Sequence, residues 1–366
     1  MSKPITIVFG TRPEAIKVAP IILELRKKSI AHTVIHTGQH AELADQILLK
    51  FSIEPDIRLN LMEEAQTPLN LLQKLLTELP KWIHPDKTNC LIVQGDTTTA
   101  LAGALTAHHQ KVKLTHLEAG LRSHDRSQPF PEEANRTLIS HLADFHFAPT
   151  AGAQKNLIAE NIPADSIQIT GNSVVDALHY ILENSAVSAD DVREKYNAVG
   201  SKLLLLTTHR RENFGEPLRQ VFEAITELSE QVKGLKVLLP AHPNPKVQDK
   251  LQILRGRPNI EIIEPVSYSE FVPVMAAADL ILTDSGGIQE EAPALGTPVF
   301  VLRNKTERPE LIESGAGKLI GTEKGKIVTE VLKFFESGSY RNPIEIFGDG
   351  KTAGRVVRIL REFLEC

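Results

Sequence analysis

The stretch Asp284-Ser285-Gly286-Gly287 sets an acid, a hydroxyl and two glycines between two apolar runs, Leu280 to Thr283 and Val299 to Leu302. Short apolar runs joined by a helical segment predict a parallel βαβ unit. Ser285, Gly286 and Gly287 fall where its helix opens, so backbone N–H groups and the positive end of the helix dipole are offered to a phosphate. Glu290 and Glu291 are expected on the first turn of that helix, where one carboxylate can accept a ribose hydroxyl. The glycines also suit a plain strand–turn–helix with no ligand. Polar residues recur at the ends of other apolar runs: Arg12, Gln39 and His40, Asp96, Glu118, His209 and His242. A solvated surface accounts for any one of them and poorly for the set, because ligands of open α/β sheets bind beyond the carboxyl ends of the strands.

The elements that must position these residues alternate from the start. Thr6 to Phe9, Thr33 to Thr37, Cys90 to Gln94, Val112 to His116, Phe145 to Ala148 and Ile167 to Thr170 read as strands. Helices are expected at Ala15 to Lys28, Pro68 to about Ile83 and Ala100 to His108, and from Glu132 onward. Residues 185–201 are polar and lack a strand pattern, which places a domain boundary there. The alternation restarts with Leu203 to Thr207, a helix from Pro217 to Gln231, and strands at Val237 to Leu239, Ile260 to Ile263, Leu280 to Thr283 and Val299 to Leu302. Lys351 to Leu364 closes as a helix. The expected fold class is α/β: two facing Rossmann-like, doubly wound domains, residues 1–184 and 185–350, with a ligand cleft between them.

Composition excludes several function classes. A length of 366 residues favours two domains, and the formal charge of −5 is mixed, without the Lys/Arg cluster of a nucleic-acid face. No apolar run approaches the ~18 residues of a membrane helix, and the N-terminus leads straight into a strand without a signal peptide. Cys90 in an apolar strand and Cys366 at the end do not read as a disulfide, which fits a reducing cytoplasm. His108-His109 and His141/His146 show no metal-ligand spacing, so neither metal nor cofactor is expected.

Six blocks carry a resemblance: GTRPEAIK (10–17), QGDTTTALAG (94–103), HLEAGLRS (116–123), PFPEEANR (129–136), HRRENFG (209–215) and DSGGIQEEAPALGTP (284–298). In this order they resemble the non-hydrolysing UDP-N-acetylglucosamine 2-epimerases, from about residue 5 to the C-terminus. The resemblance implies the B-type glycosyltransferase architecture, with helix 351–366 returning to the first domain, and usually a homodimer. It implies interconversion of UDP-N-acetylglucosamine and UDP-N-acetylmannosamine without nicotinamide or metal, as a step toward surface polysaccharide. The C2 proton beside an acetamido group is not acidic, so the family route eliminates UDP to a glycal and re-adds it after reprotonation on the other face. That demands acid/base groups on both faces and stabilisation of the leaving diphosphate. Asp96, Glu118 and Glu132 match the family's catalytic carboxylates and His209 its essential histidine. Arg12, Lys17, Ser285, Gly286, Gly287, Glu291 and Arg308 match UDP-binding positions, and Phe271 the residue beside the uracil. Asp96 and Glu118 also suit turn caps, and Phe271 a helix core. A neutral acid at such a site is expected to lie dry and among other acids.

Gln39, His40, Arg210 and His242 match positions that hold a second UDP-N-acetylglucosamine, an activator, in many bacterial relatives. Here Glu42 stands where several relatives have Gln, and Glu63-Glu64 precede Ala65, where some have a basic residue. Carboxylates disfavour a diphosphate. His36 to His40 and Leu121 to Ser123 also resemble a branch acting on 2,3-diacetamido uronic acid sugars. Two rivals remain: a retaining glycosyltransferase, which needs an acceptor site, and a UDP-sugar sensor, which needs Ser285 to Glu291 but not the three carboxylates.

Overall fold

The computed structural model describes residues 3–39, 41–63, 66–208, 210, 213–241, 244–337 and 342–365. The chain divides into two compact units, residues 1–179 with 347–366, and residues 180–346. In the first unit run β1 (Ile5–Phe9), β2 (His32–His36), β3 (Ile57–Arg58), β4 (Cys90–Gln94), β5 (Lys113–Leu117), β6 (Phe145–Ala148) and β7 (Ile167–Ile169). They pair in the order β3-β2-β1-β4-β5-β6-β7, all parallel. The second unit holds β8 (Lys202–Thr207), β9 (Leu235–Pro240), β10 (Ile260–Ile263), β11 (Leu280–Thr283), β12 (Val299–Val301) and β13 (Gly317–Leu319). Their order is β10-β9-β8-β11-β12-β13, again all parallel. Helices cover both faces of such sheets, which is why ITIVF and CLIVQ are buried at every position. Both units are doubly wound and Rossmann-like, as the sequence predicts.

Winding reverses once in each unit, between β1 and β4 and between β8 and β11. The register brings neighbouring strand ends level: Phe9 pairs with His36, Gln94 with Leu117, and Thr283 with Thr207. A polar residue after a strand is first of all a helix cap. Thr97 accepts the Ala100 N–H and Thr150 the Ala153 N–H, each at 3.0 Å. The helix Thr98–Gln110 lies close on the sheet because Gly103 has no Cβ; one there would stand 2.9 Å from Val8 Cγ1.

The helix Thr352–Glu365 belongs to the first unit and packs on the helix Arg12–Lys27. It buries Ala353, Val356, Val357 and Leu360. The Asp176 carboxylate caps it, accepting the Thr352 and Ala353 N–H groups at 3.1 and 2.8 Å. Several features differ from the sequence reading, among them the helix Ala41–Lys50 in a stretch with no expected element. β3 and β13 were not expected, and residues 185–201 contain the helix Ala189–Lys195, started by a Ser188/Asp191 capping box. Among the described residues no helix is long and apolar enough to cross a membrane. Cys90 is buried, and burial pushes its thiol up to about 12.

Candidate active site

The first unit gathers polar side chains where β1 and β4 diverge, the place at which such sheets bind ligands. After β1, Gly10 lets two hydroxyls meet: a Cβ there would stand 2.3 Å from Thr37 Oγ1 and 2.5 Å from Thr99 Oγ1. Thr11 then caps the helix Arg12–Lys27 in a capping box with Glu14. The buried Glu14 does more than cap. Its Oε2 accepts the Gly10 N–H at 3.1 Å, with the Thr11 N–H and hydroxyl at 2.8 Å. Its Oε1 accepts the Thr97 hydroxyl at 2.8 Å, so one carboxylate joins the turn after β1 to the turn after β4. Burial pushes Glu14 up to about 7 against these four donors. Arg12 is half-buried on the first turn of its helix.

Asp96 follows β4 and Gly95. Its Oδ2 takes Arg136 Nε at 2.9 Å together with a contact from Arg136 Nη2. Asn135 donates to its main-chain oxygen at 2.9 Å. Arg136 also donates to Glu133, whose Oε1 accepts the Ser123 and His124 N–H groups at 2.9 Å. Asn135 and Arg136 ride on the helix Glu132–Leu142, so the helix that begins with Glu132 also grips Asp96. Behind the turn, His116 donates from Nε2 to the Gly95 carbonyl at 2.8 Å. Burial pushes His116 down to about 3, so it is neutral at ordinary pH. Glu118, after β5, adopts φ +62, a left-handed conformation that is costly for a residue with a side chain. Its Oε2 is paired with Lys17 Nζ and accepts Asn172 Nδ2 at 2.9 Å. Asp96, Glu118 and Glu132 all remain partly exposed.

The second unit repeats the pattern where β8 and β11 diverge. Thr207 and Thr283 share a 2.6 Å hydroxyl contact across the two strands. The fully buried Asp284 accepts the Arg210 N–H at 3.1 Å and Asn213 Nδ2 at 2.9 Å. Ser285 is the N-cap of the helix Gly286–Ala294. Arg308 lies over its first turn: a Cβ on Gly286 would stand 2.9 Å from Arg308 Nη1. That guanidinium is held by Glu290 at 2.6 Å and Glu307 at 2.8 Å. Burial opposes ionisation of Glu307, but Arg308, Arg303 and Arg210 outweigh it and hold the carboxyl far below its ordinary range. A helix N-terminus with a fixed guanidinium above it is built for an oxyanion.

A family model for UDP-N-acetylglucosamine 2-epimerase matches residues 23–361. The UDP-N-acetylglucosamine 2-epimerase of Salmonella typhimurium is 42% identical over 370 residues, covering 97% of this chain and 98% of that one. The chain belongs to the UDP-N-acetylglucosamine 2-epimerase family. Among solved structures, the Neisseria meningitidis 2-epimerase bound to UDP-GlcNAc superposes with a TM-score of 0.90 at 40% identity, covering 98% of this chain and all of that one. The Methanocaldococcus jannaschii 2-epimerase in complex with UDP-GlcNAc and UDP gives 0.84 at 39% identity, covering 98% and 99%.

Of the positions the family's pattern names in the first unit, Lys17 meets Glu118, the Glu132 helix meets Asp96, and Arg12 starts the helix that carries Lys17. The second unit brings together Ser285, Gly286, Gly287 and Arg308. Glu290 and Glu291 lie on the second turn of their helix rather than the first, because the helix opens at Gly286. Glu290 is committed to Arg308, and Glu291 accepts the Tyr268 hydroxyl at 3.3 Å. Phe271 is half-buried on the helix Tyr268–Ala277. Gln39 accepts the Thr99 hydroxyl at 3.3 Å, Arg210 reaches Glu307 at 3.4 Å, and Glu42 is exposed. His40, His209 and His242 lie outside the described residues. Asp96 and Glu118 each carry a cation, Arg136 and Lys17 respectively, with Glu133 sharing Arg136 and Glu14 tied to the neighbouring Thr97. Sequence reasoning passed over Glu14, Arg136, Asn172 and Glu307. Asn172 had a signal, since Gly171-Asn172-Ser173 ends an expected strand as the other site turns do.

Proposed function

We propose that this chain interconverts UDP-N-acetylglucosamine and UDP-N-acetylmannosamine by inverting C2, through elimination of UDP to a 2-acetamidoglucal and re-addition. One observation carries the reading: a helix start at Gly286 with the Arg308 guanidinium over it, an arrangement that suits an oxyanion, occurs in the same chain as carboxylates after β4, after β5 and at the start of the Glu132 helix. The UDP-GlcNAc bound to the Neisseria meningitidis relative supports the same nucleotide sugar here. In the forward step the C2–H bond breaks toward a carboxylate and its electrons form the C1–C2 double bond. The C1–O electron pair leaves with UDP. The Gly286 helix end and Arg308 take up that charge, where fixed dipoles and guanidinium act most strongly. Reprotonation of C2 on the opposite face and return of UDP to C1 complete the inversion. Asp96 and Glu132, from separate turns of one unit, are assigned as the base and acid, with Glu118 beside them and His209 steadying the leaving phosphate.

A sensor has no use for three carboxylates, and a glycosyltransferase does not exchange the C2 hydrogen. Incubation with UDP-N-acetylglucosamine in deuterated water, followed by NMR, separates these. The expected outcome is UDP-N-acetylmannosamine with deuterium at C2 of both sugars. Epimerisation without deuterium would remove the elimination route, and an unchanged substrate would remove the reading.

A further inference from the structure

The turn after β7, Gly171-Asn172-Ser173, is tied to both members of the Lys17–Glu118 ion pair. We infer that Asn172 is a positioning residue that selects which oxygen of Glu118 faces the reacting sugar; this rests on the function proposed above. Asn172 is 3% exposed and its amide has one available orientation. Oδ1 accepts the Val174 N–H at 3.1 Å, at the start of the helix Ser173–Glu183. The main-chain N–H donates to the Phe347 carbonyl at 2.6 Å. With the amide oxygen occupied, the NH2 group turns the other way, and Nδ2 meets Glu118 Oε2 at 2.9 Å.

That oxygen also receives Lys17 Nζ, and the next residue, Ser173, donates its hydroxyl to the Lys17 carbonyl at 2.6 Å. Two consecutive residues therefore hold the base of Lys17 and one oxygen of its partner. The backbone beneath them is fixed as well. Gly171 has φ +88, and a Cβ on it would stand 2.8 Å from Thr352 Oγ1. Among the described residues Glu118 Oε1 takes no donor, and it lies 4.0 Å from where a Cβ on Gly95 would be, on the side of the Asp96 turn. Asn172 and Lys17 thus occupy one oxygen and leave the other on the side of the turn that carries Asp96. The left-handed backbone at Glu118 is what brings its side chain to this anchor.

Asn172→Ser tests the inference, because serine caps a helix about as well as asparagine but is too short to reach Glu118. Losing a hydrogen bond to a charged group predicts a fall in kcat of about tenfold to a hundredfold. KM and UDP affinity are expected to stay near wild type, a split that a general loss of structure would not give. Asn172→Asp keeps the shape and sets carboxylate against carboxylate, so its kcat is expected to fall at least as far. Wild-type kcat in either variant overturns the inference. Independently of activity, the 13C carboxyl resonance of Glu118, assigned by its loss in Glu118→Gln, is expected to move in Asn172→Ser. An unmoved resonance overturns the inference even if the chain epimerises. A moved resonance in a chain that does not epimerise removes the proposed function and leaves Asn172 as the anchor of Glu118.

Discussion

Single side chains in the first unit carry two roles at once, and substitutions can separate them. Asp96→Asn and Glu132→Gln remove one acid/base group each, which typically costs ~10² to 10⁴ in rate. Because the oxyanion site lies in the other unit, both variants are expected to bind UDP within a few-fold of wild type. Calorimetry beside turnover checks this, and a parallel loss of UDP affinity would contradict the division of labour. Glu14 lends itself to a thermodynamic test. Its folded value of about 7 stands above the ordinary 4.5, so its contribution to stability is fully present below 4.5 and is lost as pH rises through 7. Glutamine does not titrate. Between about pH 5 and about pH 8 the stability of wild type relative to Glu14→Gln is expected to fall by roughly 2 to 3 kcal/mol. Urea unfolding of both proteins at the two pH values measures the difference, and equal changes in both would rule it out.

Elements show how much could be read beforehand. The strands were legible because parallel strands buried on both faces leave long apolar runs, and the turn residues because they interrupt those runs. β3 and β13, two and three residues long, leave no such run. The Ser188 capping box sat in plain sequence, but the polar stretch around it hid the helix. Glu290 was misplaced although the helix start was read correctly, because at 3.6 residues per turn the fifth helical residue already lies on the second turn. Pairings such as Asp96 with Arg136 were not legible at all, since forty residues and a crossover separate the partners. The helix Gly286–Ala294 supports a prediction of its own. Alanine is no worse than glycine for a helix, but its Cβ at 286 would displace the Arg308 guanidinium that Glu290 and Glu307 hold. Gly286→Ala is expected to weaken UDP binding about tenfold. Unchanged UDP affinity would show that Arg308 does not serve the nucleotide.

Over the whole molecule, the first unit is built from both ends of the sequence, with the second inserted between. Removing residues 351–366 strips Ala353, Val356, Val357 and Leu360 from the Arg12–Lys27 helix. At about 1.5–3 kcal/mol for each large apolar side chain, that rivals the entire stability of a domain. The truncated protein is expected to lose the first unit to limited proteolysis while residues 180–346 survive as a resistant fragment. Protection of residues 3–179 in that protein would refute this.

The same arrangement governs how the protein is born. A ribosome releases residue 179 and then makes 167 more before reaching residue 347. At about 5–20 residues per second, that is a wait of roughly 10 to 30 s. Throughout it the nascent Arg12–Lys27 helix has no cover, and the second unit is complete before that cover is made. The second unit is therefore complete before the first, although most of the first is made earlier.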